Sequence, residues 1–316
     1  MDSSSHQFNP RRTSDKAHTI LCIDDESANL KVLSSIFRDH YTVILTKNAE
    51  QGYQKALEII PDLILLDVVM PDENGFELIK KIKASHALAH IPVIFITGLH
   101  GEDDEAKGLK LGACDYIHKP FSHSIIFARV NTHLEIVRQR KLLEKFANFD
   151  SLTELPNRRK WQTDSHAVWQ NAMINQQKIN IGVVDVDHFK KYNDFYGHVK
   201  GDIVLRKISN AVKRALYQYD GCIYRCGGEE FYFYFPENTQ ILNEDVLATC
   251  QQAVNDLAIP HQTSPVQPYL TISIGAVNHQ PCPNSQLLEV IDAADRLLYQ
   301  AKHNGRNRYA YGNYSI

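Results

Sequence analysis

The sequence predicts an α/β protein with two domains, a doubly wound parallel sheet followed by a separate α+β sheet domain. The length of 316 residues corresponds to two domains of ~150 residues each. Between residues 19 and 121, short apolar runs alternate with amphipathic stretches, which is typical of parallel strands covered by helices on both faces. From residue 150 onward a different pattern begins, and its acidic residues cluster around two turns. We therefore expect a tail at 1–17, a first domain at 18–121, a helical connector at 122–149 and a second domain at 150–316.

The composition is that of an ordinary soluble protein. Hydrophobic residues make up 43% and charged residues 22% of the chain, so each half can bury a core. With 34 Lys and Arg against 37 Asp and Glu, the formal net charge is -3, and the molecule as a whole does not attract nucleic acid or anionic lipid. We expect neither nucleic acid nor a membrane as a partner, and any phosphate-bearing ligand must be held by a local site.

The chain shows no signal for secretion, membrane insertion or disulfide bonds. No apolar run reaches the ~18 residues that a membrane span needs. Residues 1–17 are polar and lack the apolar core of a secretory signal, so we expect a flexible tail in a cytoplasmic protein. The six cysteines form no CxxC pair. Cys222 and Cys226 would lie ~13 Å apart along one strand, beyond disulfide reach, so reduced cysteines are expected.

The first domain has five predicted strands separated by helical patterns. They are Thr19 to Ile23, Thr42 to Leu45, Leu63 to Leu66, Val93 to Ile96, and Tyr116 to Ile117. Ligands of a doubly wound sheet bind beyond the carboxyl ends of its strands. The residues that follow each strand are therefore the first candidates for a site.

Polar side chains follow four of these strands. Asp24 and Asp25 follow the first strand, Asp67 the third and Thr97 the fourth, and the fifth leads into Lys119. If the sheet is parallel, these groups converge. Carboxylate oxygens suit Mg²⁺, and hydroxyl and ammonium groups suit a phosphoryl anion. A single Asp after a strand is usually a helix N-cap, but the coincidence of all five residues favours a metal and phosphoryl site.

The segments CIDDE, LLDVVMPDENGFEL, VIFITG and DYIHKPF resemble the receiver domain of two-component response regulators. The resemblance implies a flavodoxin-like fold and transfer of a phosphoryl group to Asp67 from a histidine kinase or a phosphotransfer protein. It also implies that Asp25, Asp67 and the Val69 carbonyl hold Mg²⁺, while Asp24 supports the ion through water. The residues that match the phosphate-sensing switch of the family are Thr97, Tyr116 and Lys119.

Residues 122–149 are predicted to form a helical connector. Ile126, Val130, Leu134 and Val137 are spaced as on one face of a helix. The charged residues that follow are most simply a solvated face, and the apolar stripe is too short for a coiled coil. Parallel pairing of this helix with a second chain stays open as an alternative.

The second domain has four predicted strands and two acidic turns. In VVDVDHFKKYNDFYGHVKGD a strand runs into Asp185 and Asp187, and a helix opens at His188. In YRCGGEEFYFYF two strands flank the pair Gly227-Gly228. The predicted strands are Ile179 to Val184, Cys222 to Arg225, Phe231 to Phe235, and Tyr269 to Ile274.

The glycine pair is predicted to form a tight hairpin, because glycine permits positive φ, and to leave room for a nucleotide's phosphates near the backbone. The adjacent Glu229 and Glu230 repel each other unless a cation or a proton relieves them. If the strand that ends at Asp185 lies beside this hairpin, Asp185 and Glu229 can clamp divalent ions on a triphosphate. Taken alone, Gly-Gly turns are usually structural and paired glutamates usually face solvent.

A late basic pair, Lys302 and Arg306, can neutralise phosphates and favours a functional interpretation of these turns. The segments DSLTELPNRR, DVDHFKKYNDFYGHVKGD, YRCGGEEF, LTISIGA and AADRLLYQAKHNGRNR resemble the GGDEF family of diguanylate cyclases over essentially the whole domain. The signature reads GGEEF from Gly227 to Phe231. The resemblance implies a nucleotidyl-cyclase, palm-like α+β fold and a homodimer that converts two GTP into cyclic di-GMP and two pyrophosphates.

The same resemblance assigns roles by motif. Asp185, the Val186 carbonyl and Glu229 would hold Mg²⁺, or alternatively Mn²⁺. Glu229 or Glu230 would help to deprotonate the 3′-hydroxyl of GTP, and the sequence does not separate the two. Asp187 is expected to be structural. The remaining substrate residues are Asn193 and Asp202 at the guanine edge with His198 nearby, Gly227 and Gly228 in the signature turn, and Lys190, Lys302 and Arg306 on the phosphates.

One departure from the family concerns product inhibition. Many relatives carry an RxxD product-binding site ahead of the signature. The matching positions here are Gln218 and Gly221, and Asp220 lies one place off. We expect product inhibition through that site to be weak or absent.

The expected function is that of a phosphorylation-controlled diguanylate cyclase, because both halves of the chain retain their chemical residues. A catalytically idle response regulator that binds GTP or cyclic di-GMP and acts through a protein partner is the alternative. A DNA-binding response regulator lacks support, since no helix-turn-helix with a basic face follows the receiver.

Overall fold

The computed structural model describes residues 18–71, 73–98, 102–120, 122–237 and 240–315. The tail predicted at residues 1–17 and the position of Phe121 lie outside the described residues. The chain divides into two compact units between Leu142 and Leu143. Each unit has its own sheet.

The first unit contains a five-stranded sheet in the order β2-β1-β3-β4-β5, and all neighbouring strands are parallel. The five predicted strands are confirmed, each to within a residue at either end. The strands are β1 (Thr19–Ile23), β2 (Thr42–Thr46), β3 (Leu63–Asp67), β4 (Val93–Thr97) and β5 (Asp115–His118). The helices are α1 (Ser27–Phe37), α2 (Ala49–Ile59), α3 (Gly75–Ala84), α4 (Glu102–Lys110) and α5 (His123–Asn148), which contains the boundary between the units.

The central strands of this sheet are apolar along their length because both faces are covered. Every residue of β3 and β4 is buried. Successive side chains of a strand point to opposite faces, and accordingly Ile64 and Leu66 pack in one core cluster and Leu63 and Leu65 in the other. The apolar stripe predicted on the connector is also confirmed, since Ile126, Val130, Leu134 and Val137 of α5 are all buried.

The second unit contains a five-stranded sheet of mixed direction in the order β10-β9-β6-β8-β7. Strands β10 and β9 are parallel, and the other pairs are antiparallel. The strands are β6 (Ile179–Val186), β7 (Cys222–Arg225), β8 (Glu230–Pro236), β9 (Ile272–His279) and β10 (Tyr309–Asn313). The helices are α6 (Arg158–Ile174), α7 (Phe189–Tyr196), α8 (His198–Tyr217), α9 (Asn243–Asn255) and α10 (Leu287–His303).

Two strands of this sheet differ from the sequence-based expectation. The strand predicted at Tyr269 to Ile274 corresponds to β9, which begins at Ile272 and continues to His279. It begins later than predicted because Tyr269 is engaged in a separate bridge with Pro260. Gly275 interrupts the apolar run inside β9, and a Cβ there would collide with Leu298 N and Ala294 O of α10. This glycine lets α10 pack directly on the sheet. Strand β10 was not predicted, since its residues are only half-buried and include a glycine.

Strand β6 is central and buried along its whole length. Its last residues lie opposite the first residues of β8 and β9, so three chain segments meet at this end of the sheet. All six cysteines are free, as expected. Within the described residues, the longest helices are too polar to cross a lipid bilayer.

Candidate functional site

The acidic residues that follow β1 and β3 meet at one end of the first sheet. Asp24, Asp25 and Asp67 each place a carboxylate oxygen within 4.8 Å of the others. Lys119, which follows β5, donates from Nζ to Asp24 Oδ2 at 2.8 Å and to Asp67 Oδ2 at 2.6 Å. The convergence predicted from a parallel sheet is therefore confirmed for these four side chains.

The electrostatics of this acid cluster call for a further cation. Burial is the main effect that raises the pKa of Asp67, and the charge of Asp24 adds to the rise, while Lys119 opposes it. Burial tends to lower the pKa of Lys119, but its bonds to Asp24 and Asp67 raise it overall. Three carboxylates against one ammonium leave an excess of negative charge, and their oxygens are the donors that Mg²⁺ prefers. The donor set thus fits Mg²⁺.

Two further groups complete this end of the first unit. Thr97 is fully buried at the end of β4, and Tyr116 lies on the neighbouring β5 with 4% of its surface exposed. Burial raises the pKa of Tyr116, and the neighbouring Thr97 side chain opposes that rise. The side chain of Asn29, which the sequence did not single out, donates to Asp24 Oδ1 at 3.0 Å and to Asp24 Oδ2 at 3.1 Å.

The signature turn of the second unit lies beside the end of β6, as the sequence predicted. Asp185 is paired in register with Glu230, and Val186 N donates to Glu229 O at 3.4 Å. The carboxylate of Asp185 and the two glutamates therefore come from separate stretches of sequence but share one end of the sheet. Lys302, at the end of α10, donates from Nζ to Asp185 Oδ1 at 2.9 Å.

The surroundings of the Asp185 carboxylate favour the binding of a cation. Burial raises its pKa to about 6, the negative charges of Glu229 and Asp187 add to the rise, and Lys302 opposes it. A buried carboxylate near a second acid gains most from a hard divalent ion, because the ion removes the repulsion and the loss of solvation together. The donor chemistry of Asp185 and Glu229 fits Mg²⁺ as well.

The signature glycines do not adopt the backbone conformation that we expected. Neither Gly227 nor Gly228 has a left-handed φ. The connection between β7 and β8 spans residues 226–229, and a turn of this length does not need the mirror-image dihedrals of a two-residue hairpin. A Cβ at Gly228 would meet nothing within 4 Å, whereas one at Gly227 would lie 3.2 Å from Glu230 Oε2. Open space for a ligand, rather than positive φ, is what glycine provides at position 228.

An arginine that the sequence did not single out supports the signature turn. Arg225 donates from Nη2 to Gly228 O at 2.7 Å and from Nη1 to Asp150 Oδ1 at 2.8 Å. Asp150 Oδ1 also accepts from Thr153 N and Oγ1. Both residues stand inside segments that resemble the family, DSLTELPNRR and YRCGGEEF, so the motifs themselves contained the signal.

The residues expected to contact guanine lie on two adjoining helices. Asn193 is on α7, and His198 and Asp202 are exposed on the first turns of α8. Asn193 Oδ1 is buried and has no hydrogen-bond partner within the described part of the chain. A Cβ at Gly201 would collide with this oxygen, so the glycine permits the close approach of the two helices. Lys190 lies exposed near the start of α7.

Asp187, which we expected to be structural, is 2% exposed and holds parts of the second unit together. Its carboxylate accepts from Thr271 Oγ1 at 2.6 Å, from Ser273 Oγ at 2.7 Å and from Asn307 N at 3.0 Å. Arg306 Nε lies 3.9 Å from Asp187 Oδ1. The position of Arg306 is thus linked to the same end of the sheet as Asp185.

Comparison with known proteins identifies both halves. The family described as "Diguanylate cyclase, GGDEF domain" matches residues 147–308, and the response regulator receiver domain family matches residues 20–131. A diguanylate cyclase of Vibrio cholerae is 32% identical over 194 residues, which cover 61% of this chain and 58% of that protein. The response regulator PleD of Caulobacter vibrioides is 38% identical over 114 residues, which cover 36% of this chain and 25% of PleD.

A third relative has another stated activity. A probable cyclic di-GMP phosphodiesterase of Vibrio cholerae is 42% identical over 129 residues, which cover 40% of this chain and 28% of that protein. The chain thus spans about a quarter of the length of PleD and of this relative.

Among solved structures, the coiled coil and GGDEF domain of DgcB from Caulobacter crescentus, in complex with c-di-GMP, superposes with a TM-score of 0.51 at 27% identity. The superposition covers 60% of this chain and 99% of that chain. Together with the two family matches, it confirms the fold class, a flavodoxin-like receiver sheet followed by a palm-like α+β domain. The chain belongs to the GGDEF family of diguanylate cyclases and carries a response regulator receiver domain ahead of its GGDEF domain.

Proposed function

We propose that this protein is a phosphorylation-regulated diguanylate cyclase that converts two GTP into cyclic di-GMP and two pyrophosphates as a homodimer. The observation that carries the proposal is the meeting of Asp185, Glu229 and Lys302 at one end of the second sheet. Acids that suit a divalent ion and a lysine that suits phosphate are the groups that a metal-nucleotide substrate needs.

The second unit binds one GTP in this proposal. Asp185, the Val186 carbonyl and Glu229 would hold Mg²⁺, which when bound supplies positive charge to the triphosphate. Lys302 pairs with the Asp185 carboxylate, and in the proposal its ammonium group pairs with a phosphate oxygen instead once Asp185 binds the ion. Lys190 and Arg306 bind phosphate charge as well. Guanine is read by the polar groups of Asn193 and Asp202, with His198 at the rim, and the open side of Gly228 admits the phosphates.

The chemical step explains the need for two copies of the chain. The 3′-oxygen of one GTP forms a bond to the α-phosphorus of the other, and the bond between that phosphorus and the β-bridging oxygen breaks. The same exchange in the opposite direction closes the ring and releases the second pyrophosphate. Glu229 or Glu230 accepts the proton of each attacking 3′-hydroxyl. Because each second unit provides one set of these residues, a partner copy must present the other GTP.

The first unit controls this encounter in the proposal. Asp67 accepts a phosphoryl group from a histidine kinase or a phosphotransfer protein, while Asp24, Asp25 and the Val69 carbonyl would help to hold Mg²⁺ there. Lys119 then pairs with the phosphoryl oxygens, and the Thr97–Tyr116 pair responds to the new charge. The response biases the pairing of two chains and so the meeting of two GTP molecules.

Turnover with GTP tests the proposal directly. Purified full-length protein is incubated with GTP and Mg²⁺, and cyclic di-GMP and pyrophosphate are quantified together. We expect one cyclic di-GMP for every two pyrophosphates, and loss of both products in Glu229→Gln. GTP binding without either product would instead support the idle, partner-binding response regulator.

A further inference from the structure

The loop that carries Arg306 has an unfavourable backbone conformation. Three consecutive residues after α10 have a left-handed φ: Gly305 at 112°, Arg306 at 60° and Asn307 at 47°. Glycine adopts this region freely, but residues with a Cβ occupy it only where their surroundings hold them there. Some group must therefore stabilise the conformation at Arg306 and Asn307.

The buried carboxylate of Asp187 contacts both of these residues. Asp187 Oδ2 accepts the backbone N–H of Asn307 at 3.0 Å, and Arg306 Nε approaches Asp187 Oδ1 to 3.9 Å. The carboxylate is itself fixed to the start of β9, since Thr271, just before the strand, and Ser273, within it, donate their hydroxyls to it at 2.6 and 2.7 Å. A charged acceptor in a water-poor site makes stronger hydrogen bonds than a neutral one.

Other bonds secure the two ends of the loop without acting on its charged side chain. Arg306 N donates to Ala301 O at 3.1 Å, and Ile274 N donates to Arg308 O at 3.0 Å. Gln251 Nε2 donates to the carbonyl and to the side-chain oxygen of Asn307. The carboxylate of Asp187 thus both bonds to the backbone of this loop and faces the guanidinium group of Arg306.

The direction of the Arg306 side chain follows from this arrangement. In a left-handed residue the Cβ leaves the backbone in a different direction from that in a helix, so the conformation decides where a long side chain can reach. Arg306 Nη1 donates to Lys302 O at 3.4 Å, and the two side chains border one cavity together with Tyr299 and His303. Among the described residues, the lining of that cavity contains no acidic side chain, which suits an anion.

We propose that Asp187 is a positioning residue for the triphosphate of the substrate: it acts as an internal anion that holds Arg306 and Asn307 in the left-handed conformation and thereby directs Arg306 toward the phosphates. This inference rests on the proposed function, in which Arg306 binds GTP phosphates. In this inference Asp187 increases the affinity for the substrate by positioning Arg306, and it takes no part in proton transfer or metal binding.

A double-mutant cycle on the full chain tests the assignment. The affinity for a non-hydrolysable GTP analogue in the presence of Mg²⁺ is measured by calorimetry for the wild type, Asp187→Asn, Arg306→Ala and the double variant. Asparagine keeps the size of the side chain but removes its charge. We expect Asp187→Asn to weaken binding by about tenfold, the size expected for one charge-assisted contact. In the Arg306→Ala background, the same change should weaken binding by less than about twofold.

A second pair of variants tests the same proposal if Asp187→Asn does not fold. Ser273→Ala removes one donor from Asp187, and we expect about a threefold loss of affinity that also disappears in the Arg306→Ala background. Ser209→Ala is the matched control, because Ser209 is equally buried but donates its hydroxyl to Arg206 O of its own helix. The affinity of this variant should match that of the wild type.

Steady-state kinetics separate the two proposals. Asp187→Asn should raise the KM for GTP and leave kcat within about twofold. The reason is that the variant loses a contact that stabilises the bound substrate and the transition state equally. Losses that add independently in the double variant, or an equal fall of kcat, would overturn the assignment of Asp187. A wild type that binds the analogue but makes no cyclic di-GMP would overturn the proposed function, while the binding cycle would still decide the role of Asp187.

Discussion

Lys302 Nζ lies 2.9 Å from Asp185 Oδ1 in the second unit, and Lys119 Nζ lies 2.6 Å from Asp67 Oδ2 in the first. In both units a lysine balances the carboxylate that we propose as a metal ligand. In the proposed function, each lysine changes partners when a metal and a phosphate bind. The same physical arrangement thus serves two unrelated sheets.

Replacing Lys302 tests this exchange of partners. Lys302→Met keeps the length of the side chain but removes the charge, so we expect the affinity for the Mg²⁺ complex of a GTP analogue to fall by about tenfold or more. Calorimetry measures the change. Lys178→Met is the control, because Lys178 pairs with Glu237 at the other end of β6. Equal affinities in Lys302→Met and the wild type would contradict a phosphate-binding role.

The raised pKa of Asp185 predicts a pH dependence of substrate binding. Burial raises this pKa to about 6, so below that pH the carboxyl is mostly protonated and a metal must displace the proton. We expect the affinity for the metal-nucleotide complex to fall by about tenfold per pH unit below 6. GTP itself titrates in this range, but its contribution to the pH dependence can be separated from that of Asp185. Lys302 lowers the pKa of Asp185, so Lys302→Met should move the midpoint to higher pH, whereas titration of the nucleotide would leave it unchanged.

The bonds of Arg225 predict that Asp150 supports the signature turn at a distance. Asp150→Asn weakens the charge-assisted contact that orients Arg225 toward Gly228 O, so we expect turnover to fall several-fold and the melting temperature to decrease modestly. Both are measured on the full chain. Glu154→Gln, the same chemical change at an exposed position of the same loop, is the control. If both variants have the turnover of the wild type, the turn does not depend on Asp150.

Control by the first unit predicts a response to beryllium fluoride, which mimics a phosphoryl group on an aspartate. We expect the cyclase activity of the wild type to change when beryllium fluoride and Mg²⁺ are added, and the activity of Asp67→Asn to stay constant, because the acceptor carboxylate is missing. Asp39→Asn, at an acid whose side chain is 80% exposed, should respond like the wild type. An equal response of Asp67→Asn would refute control through Asp67.

The residues at the RxxD positions predict weak product inhibition. Gln218 is the residue after α8 and donates from Nε2 to Arg214 O at 3.4 Å, and Gly221 offers no carboxylate. A Cβ at Gly221 would lie 3.1 Å from atoms of Leu216 and Phe235, so this position is also crowded. Initial rates measured with added cyclic di-GMP should stay unchanged through the submicromolar range. Inhibition there would point to a product site built from other residues.

Much of the first unit could be predicted because its signals are local. Continuous apolar runs identify buried parallel strands, and the parallel direction alone brings Asp24, Asp67 and Lys119 to one edge of the sheet. The second unit was less predictable. Its sheet mixes directions, Tyr269 belongs to a separate bridge, and β10 is too exposed to have a strong apolar pattern. The expectation of positive φ at the glycine pair was also wrong, since neither Gly227 nor Gly228 adopts it and Gly228 instead leaves open space.

The chemical groups of this protein and the strand ends at which they stand can be read from the sequence, since periodicity and motif order are properties of neighbouring residues. The pairing of distant groups becomes visible in the folded molecule: Lys302 with Asp185, Arg225 with Gly228, and Asn307 with Asp187. The two kinds of signal differ in range. Apolar periodicity acts over a few residues along the chain, whereas a hydrogen bond or an ion pair forms only when separate elements are packed to within about 3 Å of each other.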